Sequence, residues 1–253
     1  MVDIHTHILN SIDDGARDLE ISLRMCRTAQ ANGIRHIVMT PHIRTMDNAA
    51  EFVALRDSKI SILRKRLEEE NIDVSIYPGA EVYVDDDIFF ADDLRALTIN
   101  SSRYILIEFA FRNLSIRKIY DYLDEIVKMG LVPIIAHPER YQYFQDNYDA
   151  VNSLARNGVL FQLNAGSLAS FDGPQEFELA YSMAYHGLAT FIATDAHSPN
   201  RRSNDIGELM RYFPADISKH NLQIMLHDAG KAVLSDSAVP HTEKKEIRKR
   251  TGF

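Results

Sequence analysis

Seven short runs rich in β-branched and aliphatic residues alternate with amphipathic helical stretches along this chain, and that alternation limits the fold more than any other feature. The runs are Val2-Asp3-Ile4-His5, Ile34 to Met39, Asp73 to Tyr77, Tyr104 to Ile107, Leu131 to Ala136, Val159 to Leu163 and Ala189 to Ala193. After the first run, Asp18 reads as a cap for a helix whose apolar positions Leu19, Leu23 and Cys26 recur at helical spacing until Gly33. A long helix with Phe52, Ile60, Leu63 and Leu67 on one face follows the second run. Ser115 caps the clearest helix, with Ile116, Ile119, Tyr120, Leu123, Ile126 and Val127 as its buried stripe and Gly130 as its end. Strand and helix in this order predict an α/β fold with a mostly parallel sheet, and 253 residues suit one α/β barrel. No linker or internal repeat divides the chain, so residues 1–253 are expected to form a single domain with a basic tail from about residue 240.

In a parallel barrel the C-terminal strand ends share one face, and active sites are built there. The first run leads into His5 and His7, the second into Thr40-Pro41-His42, the third into Gly79-Ala80-Glu81 and the fourth into Glu108. The fifth leads into His137-Pro138-Glu139-Arg140, the sixth into Asn164 and the seventh into Thr194-Asp195-Ala196-His197. Positions i and i+2 of a strand face the same way, so His5 and His7 can chelate one ion, and Asp195 and His197 repeat the spacing. Taken singly, His42 and His137 read as hydrogen-bonded structural histidines, and Glu81 and Glu108 as caps or ion-pair partners. Asp14, in Ile12-Asp13-Asp14-Gly15, is either a further ligand or a turn residue before glycine. Imidazoles and carboxylates without thiolate suit Zn²⁺, Mn²⁺, Fe or Co²⁺, and these candidates are enough for two or three ions with a bridging carboxylate.

Composition narrows the function. A net charge of −8 disfavours a general nucleic-acid surface. Only one cysteine is present, so no intramolecular disulfide can form and a reducing compartment is expected. No apolar run approaches the roughly 18 residues that span a bilayer, and no secretory signal is seen, so a cytoplasmic location is expected. A cysteine-based phosphatase loop, Cys-x5-Arg, is ruled out because Asn32 stands six residues after Cys26. Neither GxxxxGK[ST] nor GxGxxG occurs. The segment from Glu243 to Arg250 is locally basic and reads as a solvated tail, or as a contact for an acidic partner or membrane surface.

The runs Asp3-Ile4-His5-Thr6-His7 with Asp13-Asp14-Gly15, Thr40-Pro41-His42, Gly79-Ala80-Glu81, Ile107-Glu108-Phe109, His137-Pro138-Glu139-Arg140 and Thr194-Asp195-Ala196-His197 come in the order of a known family. They resemble the PHP (polymerase and histidinol phosphatase) superfamily. More narrowly, they resemble the metal-dependent tyrosine-protein phosphatases of bacterial capsule and exopolysaccharide loci, the CpsB/YwqE type. The resemblance spans residues 2 to about 235. It implies a distorted (β/α)7 TIM-like barrel with three divalent ions per chain, manganese first, with Fe, Zn, Co or Mg as alternatives. On this chain His5, His7, Glu81 and Asp195 would hold one ion. Glu81 would bridge to a second held by Glu108 and His137, and Asp14, His42 and His197 would hold the third. Arg140 would bind phosphate, and a hydroxide bridging two ions would attack the phosphorus in line. The family often has a second histidine directly after the third-site histidine, whereas Ile43-Arg44 follows His42 here. The implied substrate is the phosphotyrosine tail of an autophosphorylating tyrosine kinase that regulates polysaccharide export, met at a membrane-bound partner. Arg44, Arg112, Arg201 and Arg202 lie in or near loops at the expected mouth and are candidates to select substrate. The same metals would also serve a small-molecule phosphoesterase acting on histidinol phosphate or a nucleotide. A 3′-exonuclease is disfavoured by the acidic balance. A non-catalytic phosphotyrosine-binding module is the alternative from a different class.

Overall fold

The computed structural model describes residues 1–90, 93–200 and 202–248. Among these, nine strands form two parallel sheets. The smaller has the order β1 (Val2–Thr6), β2 (His36–Met39), β4 (Ser75–Pro78). The larger runs β3 (His42–Ile43), β5 (Glu81–Tyr83), β6 (Tyr104–Glu108), β7 (Val132–Ala136), β8 (Leu160–Asn164), β9 (Phe191–Ala193). The two sheets are one seven-track barrel with two of its tracks broken. β2 and β3 continue one another across Thr40 and Pro41, β4 and β5 across Gly79 and Ala80, and the partners match because β2 pairs β4 while β3 pairs β5. Pro41 and Pro78 lack the N–H that an unbroken ladder needs. Gly79 lets the broken tracks close up, since a Cβ there would lie 2.8 Å from Val38 Cγ1. The ring closes between β9 and β1 through a parallel bridge, Thr6 to Ala196, with the His7 N–H donating to Ala196 O and the Asp195 N–H to His5 O, both at 2.9 Å.

Seven tracks were expected and seven are found, but the second and third split in two, and His42 and Glu81 sit on short strands of their own. β1 departs from simple alternation as well. Its register against β2 shifts between Asp3 and Thr6, so Val2 and Ile4 pack into the barrel interior and His5 still turns inward above them. That interior holds Leu106, Ile134, Leu160 and Phe191. Its lower end is closed by Ile224 of a π-helical turn and by Ala229 and Val233 of a helix spanning Ala229–Leu234. A larger apolar layer fills the space between the barrel and the outer helices.

Helix α1 (Leu19–Ala31) is capped by Asp18, whose side chain accepts from the Ile21 N–H at 2.9 Å. Helix α2 (Ala49–Glu69) buries Ile60, Leu63 and Leu67, while Phe52 is partly buried. Helix α3 (Ile116–Lys128) starts on Ser115 as expected, but its buried stripe is Ile119, Tyr122, Leu123 and Ile126. Val127 is 57% exposed, because a stripe drawn through it runs one position too far round the helix. The described part of the C-terminal segment is pinned at Thr242 and Ile247, while the charged side chains of Glu243, Lys244, Lys245, Glu246 and Arg248 are exposed. Ile247 is buried, and its backbone N–H and C=O both pair with the Asn152 side-chain amide. The Lys245 N–H donates to His186 O.

Candidate metal centre

Strand ends carry nine titratable side chains to the barrel mouth. His5 Nε2 lies 3.1 Å from Glu81 Oε2 and 3.5 Å from Asp195 Oδ1, and His7 Nε2 lies 3.3 and 3.4 Å from the same two oxygens. His42 Nδ1 stands 3.0 Å from Glu81 Oε2 and 3.2 Å from Glu108 Oε1. His137 Nε2 is 2.8 Å from Glu81 Oε1. Asp14 Oδ1 faces both His42 Nε2 and His197 Nε2 at 3.5 Å, so this turn residue does reach the cluster. Four groups offer ligand atoms within 4.8 Å of one another: His7, Asp14, His42 and His197; His5, His7 and Glu81; His5, His137 and Asp195; His42, Glu81 and Glu108. The groups share members. Asp14, His42 and His197 fall in one group together with His7, while His137 groups with His5 and Asp195, and it is His42, not His137, that groups with Glu81 and Glu108.

A buried hydrogen-bond chain fixes which nitrogens face the cluster. Asp195 as a carboxylate can only accept, so the Asn164 amide N–H2 must donate to Asp195 Oδ2, at 2.8 Å. Asn164 Oδ1 then accepts from Gln162 Nε2 at 2.9 Å, which turns Gln162 Oε1 toward His5 Nδ1 at 2.7 Å. His5 Nδ1 therefore carries a proton, and Nε2 is the nitrogen presented to Glu81 and Asp195. Asp13 does the same for His7, with Oδ2 at 2.7 Å from Nδ1, and also accepts from the backbone N–H of His42 and Gly15. His137 (φ 32°) and Asp195 (φ 51°) are both held in the left-handed region, a strained backbone for a side-chain-bearing residue and one concentrated at functional sites.

The donor set fits divalent cations. Glu81 Oε2, Glu108 Oε1, Asp195 Oδ1, His42 Nδ1, His137 Nδ1 and His197 Nε2 are buried and make no hydrogen bond of ordinary geometry among the described residues, although several stand within ion-pair distance of one another. Such groups are costly unless something else satisfies them. Burial opposes ionisation of Glu81 and Asp195, yet the His5, His7 and His137 imidazoles facing them hold both carboxyls well below the usual range. Burial likewise opposes protonation of His42, but Glu108 and Glu81 raise it to about 9. His197 goes the other way, pushed down to about 4 by burial and by the neighbouring His7. Oxygen and imidazole ligands without sulfur match the borderline divalent ions.

Arg140 stands at the rim, with Nη1 3.6 Å from Asp195 Oδ2 and its guanidinium 4.7 Å from the Phe111 ring centre. Arg112 and Arg140 share a polar cleft of about 320 Å³. Arg202 ion-pairs with Asp195 Oδ2 and lines a second cleft of about 550 Å³ that reaches Asn164 and Thr194. Arg44 is exposed just past β3, and no contact among the described residues ties it to the cluster. Arg201 lies outside the described residues. Cys26 is fully buried, and burial pushes its thiol up to about 12. Sequence reasoning missed Asp13, Gln162 and Phe111. A glutamine inside the apolar run Leu160-Phe161-Gln162-Leu163 was the available signal for one of them.

The profile of a family described as capsular polysaccharide synthesis, CpsB/CapC, matches residues 1–235. The chain belongs to this family. Among CpsB/CapC relatives, the tyrosine-protein phosphatase YwqE of Bacillus subtilis (strain 168) is 31% identical over 256 residues, covering 100% of this chain and 99% of the relative. The putative tyrosine-protein phosphatase CapC of Staphylococcus aureus is 32% identical over 242 residues, covering 94% and 93%. A crystal structure from work on YwqE of Bacillus subtilis and CpsB of Streptococcus pneumoniae, described as unique metal-dependent tyrosine phosphatases, superposes with a TM-score of 0.85 at 29% identity, covering 98% of this chain and 100% of that one. Histidinol phosphate phosphatase of Lactococcus lactis, at 15% identity and a TM-score of 0.51 over 83% of this chain and 92% of its own, shares the barrel fold. The distorted α/β barrel expected from sequence is the fold that is found.

Proposed function

We propose that this CpsB/CapC protein is a metal-dependent protein-tyrosine phosphatase acting on the phosphotyrosine tail of an autophosphorylated bacterial tyrosine kinase that regulates capsule or exopolysaccharide synthesis. The observation that carries the reading is the set of buried ligand atoms without a hydrogen bond of ordinary geometry, grouped at the barrel mouth beside Arg140. His5, His7, Asp14, His42, Glu81, Glu108, His137, Asp195 and His197 would hold the ions, three per chain with manganese first. Divalent ions there would supply a bound water whose pKa is lowered toward ~7 and positive charge for the phosphoryl oxygens. Residues 1–253 act as one domain in this reading, and the lone cysteine supports a cytoplasmic location. No helix among the described residues is long and apolar enough to cross a membrane. The enzyme would then meet a membrane-bound kinase by peripheral contact.

The chain's own residues orient the reaction. Gln162 and Asp13 hold His5 and His7 with Nε2 inward, so neither ring is free to turn. Arg140 offers a planar fork to the phosphoryl oxygens at the open side of Asp195. The leaving group is a phenolate of pKa about 10, far less basic than an alkoxide, so the chain needs no strong proton donor beside the ester. Phosphate release from a phosphotyrosyl peptide, a phosphoseryl peptide, histidinol phosphate and AMP, each with Mn²⁺ and with chelator, tests the assignment. Chelator-sensitive turnover of phosphotyrosine alone is expected. Turnover of only a small molecule would make this a small-molecule phosphoesterase, and binding of phosphotyrosine without turnover would make it a binding module. Arg140→Ala should lower turnover while leaving metal content intact, whereas loss of metal in that variant would make Arg140 structural.

A further inference from the structure

We propose that Phe111 recognises the aromatic ring of the substrate and so sets a preference for aryl over alkyl phosphoryl compounds, a role that rests on the phosphatase reading above. Phe111 lies in the loop after β6, three residues beyond Glu108, and is 39% exposed. Three groups of the site hold its ring. The Arg140 guanidinium lies 4.7 Å from its centre, the His137 ring 5.7 Å away, and the Tyr141 ring is stacked on it at 5.6 Å with 28° between planes. Tyr141 is itself fixed, fully buried, stacked on Tyr143 at 5.3 Å, with its hydroxyl accepting from the Phe109 N–H. A phenyl group is thus presented to solvent on a rigid aromatic platform, between a candidate metal ligand and the candidate phosphate binder. Leu55, Ile62 and Val127, also exposed, sit on the outer helices α2 and α3, and exposed Phe171, packed against Tyr212, lines the separate Arg202 cleft without contact to Arg140 or His137 among the described residues.

The chemistry of the ester explains the placement. In an aryl phosphate the first ring carbon is two bonds from phosphorus. A phosphoryl group on the Arg140 fork therefore brings its ring within the ~4.5–7 Å centroid range over which aromatic pairs attract. A phosphoserine side chain has one methylene at that place and no ring to cover the exposed phenyl. Arg140 over one part of the Phe111 ring also joins phosphate and ring recognition in one rigid unit.

The test is calorimetric titration of the manganese-loaded full chain with benzylphosphonate, in which a methylene replaces the ester oxygen, and with methylphosphonate, which has no ring. Wild type should bind the benzyl compound roughly 3- to 10-fold more tightly, from the ordinary strength of an aromatic pair. Phe111→Ala and Phe111→Leu should erase that ratio while leaving methylphosphonate binding in place, and Phe111→Trp should keep it. The leucine variant retains apolar volume on Tyr141, and methylphosphonate binding reports that the site is still formed. A wild type that does not discriminate, or an alanine variant that weakens both ligands equally or neither, overturns the proposal. Absence of phosphotyrosyl-peptide turnover alongside an intact benzyl preference would sink the phosphatase reading and leave ring recognition standing.

Discussion

Gln162→Leu removes one buried side chain whose Oε1 accepts from the His5 ring and, at 3.4 Å, from the His137 backbone N–H. Its loss leaves the His5 Nδ1–H and Asn164 Oδ1 without their partners at 2.7 and 2.9 Å in a fully buried setting. Each unpaired group costs about 1–3 kcal/mol, and a domain of this length moves roughly 2–4 °C in Tm per kcal/mol, so a clear drop in Tm is expected. A second effect is independent of stability. Without its acceptor, His5 is free to take the other tautomer or to rotate, and groups that orient a metal-bound histidine are worth about 10- to 100-fold in affinity, or about 1.4–2.7 kcal/mol. Titration of chelator-treated protein with Mn²⁺ measures this directly. Gln162→Glu separates the two effects, because a carboxylate still accepts from His5 but cannot donate to Asn164 Oδ1. It should recover most of the metal affinity and little of the Tm. An affinity for Mn²⁺ within about twofold of wild type in Gln162→Leu would refute the reasoning and reduce Gln162 to packing.

Gly15→Ala would place a Cβ 2.0 Å from His7 O and 2.6 Å from His7 Cβ, so the loop must move and Asp13 with it. Overpacking of this kind costs about 1–3 kcal/mol or more, and both Tm and metal stoichiometry should fall. Wild-type values of both would show that the loop tolerates the shift. Burial pushes the Glu139 carboxyl up to about 7 from 4.5, so its contribution to stability is present below pH 4.5 and lost as pH rises through 7. Glu139→Gln removes that loss, so its unfolding free energy relative to wild type, read by denaturant titration, should be higher at pH 8 than at pH 5, by on the order of 3 kcal/mol. A pH-independent difference would mean the carboxyl is not raised. His42, raised from 6.5 to about 9, must shed its proton to bind an ion, so metal affinity should climb as pH rises and level off above 9. A pH-flat affinity would exclude His42 as a ligand. Cys26→Ser should retain activity, since a thiol at about 12 is no nucleophile, and a dead variant would point to covalent chemistry instead.

The seven strands and the residues at their ends were legible because hydrophobic runs and the common face of a parallel barrel are local and topological properties. The breaks at Pro41 and Pro78 were not read as breaks, since a proline near a strand end fits either an ending or a kink. The register shift in β1 was invisible for a related reason. Alternation alone puts Ile4 and His5 on opposite faces, and only pairing with β2 decides otherwise. The stripe read on α3 holds Val127 and leaves out Tyr122, whose ring is buried while its hydroxyl reaches Asp86 at the surface. Gln162 and Asp13 escaped because their importance lies in the atoms they face across the barrel. Residue type and spacing carry no record of that.

The closure between β9 and β1 has a consequence for how the protein assembles. His5 and His7 are made first, and Asp195 and His197 about 190 residues later. Backbone pairing of Thr6 with Ala196 is among the longest loops the chain has to close, and contacts of that separation form late in folding. Ligands flank this seam on both sides, so a folding intermediate lacking β9 presents only part of each candidate set. An ion bound across the join then acts as a latch, favouring the closed ring by an amount that grows with the logarithm of metal concentration. Without divalent ions, the seam between Thr6 and Ala196 loses that latch.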